Sequence, residues 1–188
     1  SALITVPGGS NILVDGASGG EDDKFDAGRG VIAPYLWNRG VFDLDMVMVT
    51  PFHEDPLGGI LYILKKFKVG SVIYNGAEIS DYRLYDEYIK IIKEKNIRRI
   101  TVGRGDVISV PGAVKIYVLN PPGDIAFADS NDNSMVFRLE YKKFSALFCG
   151  DISSKTMEKL LGYGPFALKS DIMKVPHHGG NLGEKNII

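Results

Sequence analysis

The alternation of apolar and polar positions divides the chain into short elements. Leu3-Ile4-Thr5-Val6 and Asn11-Ile12-Leu13-Val14-Asp15 flank Pro7-Gly8-Gly9-Ser10, two β-branched runs around a turn, and predict a β-hairpin. Residues 16–28 are polar and glycine-rich and read as a surface loop. Residues 31–37 are apolar enough for a short helix, with Pro34 tolerable only near its start or at a kink. The run at 44–49 predicts a buried strand, 60–67 a helix, and 71–74 another strand. Over 81–95, Leu84, Tyr85, Tyr88, Ile91 and Ile92 recur at helical spacing with charges elsewhere, an amphipathic helix capped by Asp81 or Ser80.

Beyond Arg99 the pattern changes to short strands, at 100–102, 107–110, 114–119, 135–139 and 144–148, separated by Gly, Pro or Lys turns. A helix is expected at 155–161, with Ser153 or Ser154 at its start. A last strand at 171–175 ends at Pro176-His177-His178-Gly179-Gly180. Mixed strands and helices, with candidate ligands only at strand ends, predict a layered α/β fold with a site at a sheet edge.

Composition narrows the classes. A chain of 188 residues fits one domain, 1–188, with a sizeable core, and 45% hydrophobic with 24% charged residues is ordinary for a soluble globular protein. Net charge near −1 and a pI near 6.3 give no global attraction to nucleic acid or anionic lipid. The single cysteine, Cys149, rules out an internal disulfide and is most simply a small buried hydrophobe. No apolar run is long enough to span a bilayer, and no signal peptide is visible. A start at Ser1 without methionine, and an end soon after His178, read as a fragment of a longer chain.

The candidate chemistry sits at Thr50-Pro51-Phe52-His53-Glu54-Asp55-Pro56-Leu57-Gly58-Gly59, between the strand at 44–49 and the following helix. A turn with His, Glu and Asp in three consecutive positions is a natural place to hold a metal. The chain has three histidines, and the other two, His177 and His178, also follow a strand. Asp55-Pro56 has a structural account as well: aspartate is a favoured helix N-cap and proline a favoured first helical residue. Asp151 could equally cap a helix or close the Gly150 turn, and Asn131 to Ser134 form a strong turn signal whose default role is to hydrogen-bond their own loop. Lysines and arginines cluster at 65–68, 90–99 and 142–143, but the second run is interleaved with Glu94 and reads as a solvated helix face.

Six features in order carry a family resemblance. They are Leu-Val-Asp-Gly (13–16), Asp26-Ala27-Gly28-Arg29 leading to 33–40, Thr-x-x-His-x-Asp-x-x-Gly-Gly (50–59), Asn131-Asp132-Asn133-Ser134, Cys149-Gly150-Asp151, and Lys174-Val175-Pro176-His177-His178-Gly179. The chain resembles the metallo-β-lactamase fold and, within it, the soluble domain of ComEC-type competence proteins implicated in DNA uptake. The resemblance implies an αββα sandwich, here truncated at the C-terminus. The family's His-x-His-x-Asp-His motif is read here as Pro51, His53, Asp55 and Pro56, so two of four ligands are replaced by residues without a side-chain donor.

What carries over as metal ligands is His53, Asp55, Asp151 and one of His177 and His178, since adjacent residues leaving a strand point to opposite sides and only one need face the site; His177 is the one chosen here. Asp55 and His53 are the expected catalytic residues. Asn131 and Ser134 match a polar signature of the ComEC branch near the site. The implied cofactor is one zinc or manganese ion or none, without a nucleotide cofactor. The implied partners are single-stranded DNA and a membrane-channel domain in a longer parent, which would make this an extracytoplasmic soluble domain. Two functions follow: a degenerate domain with weak or no turnover, or a phosphodiesterase or nuclease working with a single metal.

Overall fold

Among the described residues, ten strands form two five-stranded sheets, one in each of two compact units, Ser1–Thr101 and Val102–Ile188. The computed structural model describes residues 1–17, 25–50, 54–123 and 131–179, and of 54–56, 165, 177 and 178 the backbone only.

In the N-terminal unit the expected hairpin forms from β1 (Ala2–Thr5) and β2 (Asn11–Val14), paired antiparallel. β3 (Asp43–Met48), β4 (Lys68–Tyr74) and β5 (Arg98–Thr101) then add in parallel, giving the order β1-β2-β3-β4-β5. Parallel neighbours need crossovers, and helices supply them. A π-helical segment, Gly28–Ile32, runs into α1 (Ala33–Asn38) between β2 and β3, so the helix begins earlier than expected. Pro34 falls in the first turn of α1, where its missing N–H has no intrahelical partner to lose.

α2 (Glu54–Lys66) links β3 to β4, and α3 (Arg83–Glu94) links β4 to β5. Leu84, Tyr85, Tyr88, Ile91 and Ile92 of α3 are buried, as their spacing predicts. They join Leu57, Ile60, Ile63 and Leu64 of α2 and Val47 of β3 in one core. Each such side chain removed from water contributes roughly 1.5–3 kcal/mol before entropy is counted.

Two helix starts differ from expectation. α2 begins at Glu54, so Asp55 and Pro56 lie inside its first turn and Gly58-Gly59 are helical. Glycine disfavours helix by about 1 kcal/mol, which is why the pair reads as a turn. Tertiary contact overrides that preference: a Cβ on Gly59 would lie 2.9 Å from the Ala17 carbonyl oxygen, and one on Gly16 would lie 2.6 Å from the Ile60 nitrogen. For α3 the cap position falls on Tyr82, in extended conformation and without a side-chain cap bond. Asp81 stands outside the helix with φ of 55°.

In the C-terminal unit β6 (Val107–Val110), β7 (Val114–Asn120), β8 (Val136–Tyr141) and β9 (Phe144–Phe148) form an antiparallel meander. α4 (Ser154–Leu161) and a short α5 (Pro165–Leu168), the latter absent from the sequence pattern, lead to β10 (Ile172–Lys174). β10 lies parallel to β9 at the sheet edge. Val136, Leu147, Cys149, Ile152 and Leu160 form a buried cluster that ties α4 to this sheet.

Candidate functional site

β2, β3 and β4 run parallel in register, Val14 beside Met48 and Met48 beside Ile73, so the residues that follow them leave from one edge. Such C-terminal edges of parallel strands are where loops gather to form sites. Here the edge is fixed by buried hydrogen bonds. Asp15, 7% exposed, donates its N–H to the Met48 carbonyl at 2.9 Å. Its carboxylate accepts the N–H of Thr50 at 2.8 Å and the Thr50 hydroxyl at 2.8 and 3.0 Å. Val49 donates to the Ile73 carbonyl at 2.9 Å. The threonine that opens the motif is therefore held by main-chain and side-chain bonds together. Asp15 was visible in the sequence as part of Leu-Val-Asp-Gly, but nothing in the spacing announced its partner.

His53 lies outside the described residues. Asp55 is the second residue of α2, described by its backbone. Both belong to the stretch between the Thr50 anchor and the Gly59 seat.

The C-terminal unit carries the other candidates. β9 and β10 are parallel with Phe148 beside Lys174, and Asp151 and His177 each stand three residues past that pair. The two therefore leave the sheet at the same edge. His177 and His178 lie in a 3-10 turn, Pro176–Gly179.

The Gly150-Asp151 turn is braced by the Asn131–Ser134 segment. Asn120, at the end of β7, donates through Nδ2 to the carbonyls of Asp132 and Ser134, both at 2.8 Å. The buried Ser134 hydroxyl accepts the Asp151 N–H at 3.2 Å, and Asp132 Oδ1 accepts the Ser153 N–H at 2.8 Å. Gly150 has φ of +56°, and a Cβ there would lie 2.7 Å from Ser134 Cβ, so the turn admits only glycine without rearrangement. Asp132 and Ser134 are expected to hydrogen-bond their own loop; the Ser134 and Asp132 side chains instead reach 17 and 21 residues along the chain and fix the backbone of Asp151 and Ser153. The Asp151 carboxylate itself caps no helix: α4 takes Ser153 as its cap residue, and the Ser153 N–H goes to Asp132. Among the described residues that carboxylate has no hydrogen-bond or ion-pair partner.

Two titratable groups are shifted. Burial pushes Asp132 up, but the Ser153 N–H and the nearby Lys159 charge outweigh it and hold the carboxyl below its ordinary value. Burial pushes the Cys149 thiol up to about 11. Among the described residues no three His, Cys, Asp or Glu side chains converge as a metal cage would require.

The metallo-beta-lactamase superfamily model matches residues 1–187. The chain belongs to this superfamily. It is 27% identical over 165 residues to ComE operon protein 3 of Bacillus subtilis (strain 168), covering 87% of this chain and 21% of that protein. The chain thus spans about a fifth of that relative's length. Among solved structures it is similar to the metallo-beta-lactamase fold protein YhfI from Bacillus subtilis, with a TM-score of 0.54 and 14% identity over 89% of this chain and 59% of that one. It is also similar to Zn(2+)-bound PqqB from Methylobacterium extorquens, with a TM-score of 0.53 and 13% identity over 84% of this chain and 55% of that one. At such identities the likeness concerns the fold alone. The α/β architecture with two sheets and helices is that of the metallo-β-lactamase fold.

Proposed function

We propose that this chain is the metallo-β-lactamase-fold domain of a ComEC-type DNA-uptake protein, extracytoplasmic and joined to a membrane channel in a longer chain, with a degenerate metal site and weak or no turnover. The observation that carries this reading is the 27% identity to ComE operon protein 3 across 87% of the chain. No described helix is long and apolar enough to cross a membrane, so the channel would lie elsewhere in the parent. Single-stranded DNA is the expected partner, and no nucleotide cofactor is needed.

The donor set decides what a metal could do here. Pro51 and Pro56 offer no ligand atom, which leaves His53, Asp55, Asp151 and His177 as the residues nominated by the family motif. Four donors are enough for one zinc-like ion and fall short of two. If an ion binds, it supplies Lewis acidity toward water and a phosphoryl oxygen. In a second reading that ion serves a single-metal phosphodiesterase, with His53 orienting water or substrate. The Asp151 carboxylate, which has no partner among the described residues and sits on a turn braced by Ser134, favours keeping this alternative.

Metal analysis of purified protein separates the two. Substoichiometric zinc and manganese, with no hydrolysis of single-stranded DNA or a nitrophenyl phosphodiester, is the expected result. Near-stoichiometric metal that is lost on Asp151→Ala, together with turnover, would establish the single-metal enzyme instead.

A further inference from the structure

The stretch from the π-helical segment into α1 is apolar on every side. From Gly30 to Trp37 no residue carries a charge, and the only hydrogen-bonding side-chain atoms are the Tyr35 hydroxyl and the Trp37 indole N–H. Ile32, Ala33 and Leu36 are buried in the core of the N-terminal unit, which accounts for one side. On the other side Val31, Pro34 and Tyr35 are exposed, Val31 by 55% and Tyr35 by 50%. Val31 and Tyr35 are four residues apart and so stand together on the helix. A helix facing water ordinarily carries polar residues on its outer side, and one that is apolar all round has a cover there.

Phe25 enlarges this face. Its ring lies on the helix at Gly30, where an added Cβ would come within 2.8 Å of a ring carbon, so glycine is what lets the ring approach. Phe25 is nevertheless 58% exposed. Trp37, at the flank, stacks on Phe67 with ring centroids 5.5 Å apart and remains 41% exposed. Arg29 and Arg39, both exposed, stand at the two ends of the apolar run. Asp26 is the carboxylate closest to the run in sequence, and it is already engaged by the Arg29 N–H at 2.9 Å.

Area and residue type choose the occupant. Phe25, Val31, Tyr35 and Trp37 together offer on the order of 400 Å² of mostly apolar surface. Each partner in a stable protein–protein interface contributes about 800 Å², so a second copy of this chain would find too little to hold. Rings with one polar atom, set between arginines, suit the boundary of a bilayer. There the apolar body enters, while the polar tip and the guanidinium stay at the headgroups. Eight helical residues rise only about 12 Å, so the helix would lie along a bilayer and not through it. Electrostatic attraction adds little, because the net charge is −1 and Asp26 and the exposed Asp43 flank the run as the arginines do. Binding would rest on apolar contact, to neutral lipid as readily as to anionic.

We infer that this face, Phe25, Val31, Pro34 and Tyr35 with Trp37 beside them, rests on the headgroup region of a phospholipid bilayer. The inference is drawn from the composition and exposure of this helix, without the metal loop or DNA, so it can fail while the proposed function stands.

The test is co-sedimentation of the 188-residue chain with phosphatidylcholine vesicles at low and high salt, with Trp37, its one tryptophan, as the fluorescent reporter. Wild type should bind at both salt levels, with a blue-shifted tryptophan that brominated lipid tails quench. Val31→Ser with Tyr35→Ser should weaken binding about tenfold through the apolar area removed, and should keep the wild-type urea midpoint because neither side chain is in the core. Should that variant lose its cooperative urea transition, Phe25→Ser, ahead of the helix, makes the same comparison. No binding to phosphatidylcholine, or equal binding by wild type and variant, overturns the inference. So does binding to phosphatidylglycerol alone that salt abolishes, the mark of a charge-driven contact. A concentration-dependent dimer that ignores vesicles and is lost in the variant would assign the face to a second copy instead. None of these results bears on metal content or hydrolysis, by which the proposed function is tested.

Discussion

Asp15 and Thr50, 35 residues apart, are joined through a buried carboxylate that takes both the N–H and the hydroxyl of the threonine at 2.8 Å. A hydrogen bond to a buried charge contributes more than a neutral one, and an unmet one is costly. Thr50→Val, which keeps the shape and removes the hydroxyl, should lower unfolding free energy by about 1.5–3 kcal/mol in urea. Thr50→Ser should recover most of that. Equal stability of the valine and wild-type proteins would show that the backbone bond alone fixes this edge.

Asp132 gives the C-terminal unit an acid-sensitive brace. Its carboxyl is more acidic folded than unfolded, so its contribution is present above the ordinary carboxylate range and is lost as pH falls through its lowered folded value. As pH drops below the ordinary carboxylate range, the urea midpoint of wild type should therefore fall more steeply than that of Asp132→Asn. Parallel midpoint profiles for the two proteins would rule this brace out.

Cys149 is buried with its thiol pushed up to about 11, so at pH 8 almost none is thiolate and none is accessible. Iodoacetamide should leave the native protein unmodified at pH 8 and label it fully in urea. Rapid native labelling would contradict the buried placement.

The proline reading can be run in reverse. Pro51→His together with Pro56→His should raise bound zinc above the wild-type stoichiometry, toward the two-ion complement, when measured by elemental analysis. No rise would mean that the loop fails to present its side chains as the family motif does.

Much of the fold was legible because the residues that make it are local. The hairpin, the strand at 43–48 and the buried face of α3 follow from alternation and helical spacing, and all are present. Where expectation failed, a long-range contact had decided the outcome. Gly58-Gly59 looked like a turn and is helix because Gly16 and Ala17 press against it. The Tyr82 cap of α3 and the short α5 left no propensity signal. Of the candidate site, the motif order identified the family, whereas the Asp132 and Ser134 side chains bond across to the Asp151 turn rather than within their own loop. The bond between Asp15 and Thr50 escaped notice because a pairing across 35 residues leaves no periodic signal, and that from Lys95 to the Leu64 carbonyl because its partner lies some thirty residues back along the chain.

The residues that fasten Thr50 and Gly59 are neighbours: the Asp15 carboxylate takes the Thr50 hydroxyl, and Gly16 and Ala17 lie against Gly59. Three consecutive residues thus serve both the end of one strand and the early part of the helix that follows it. A change in that tripeptide would be felt at both places at once.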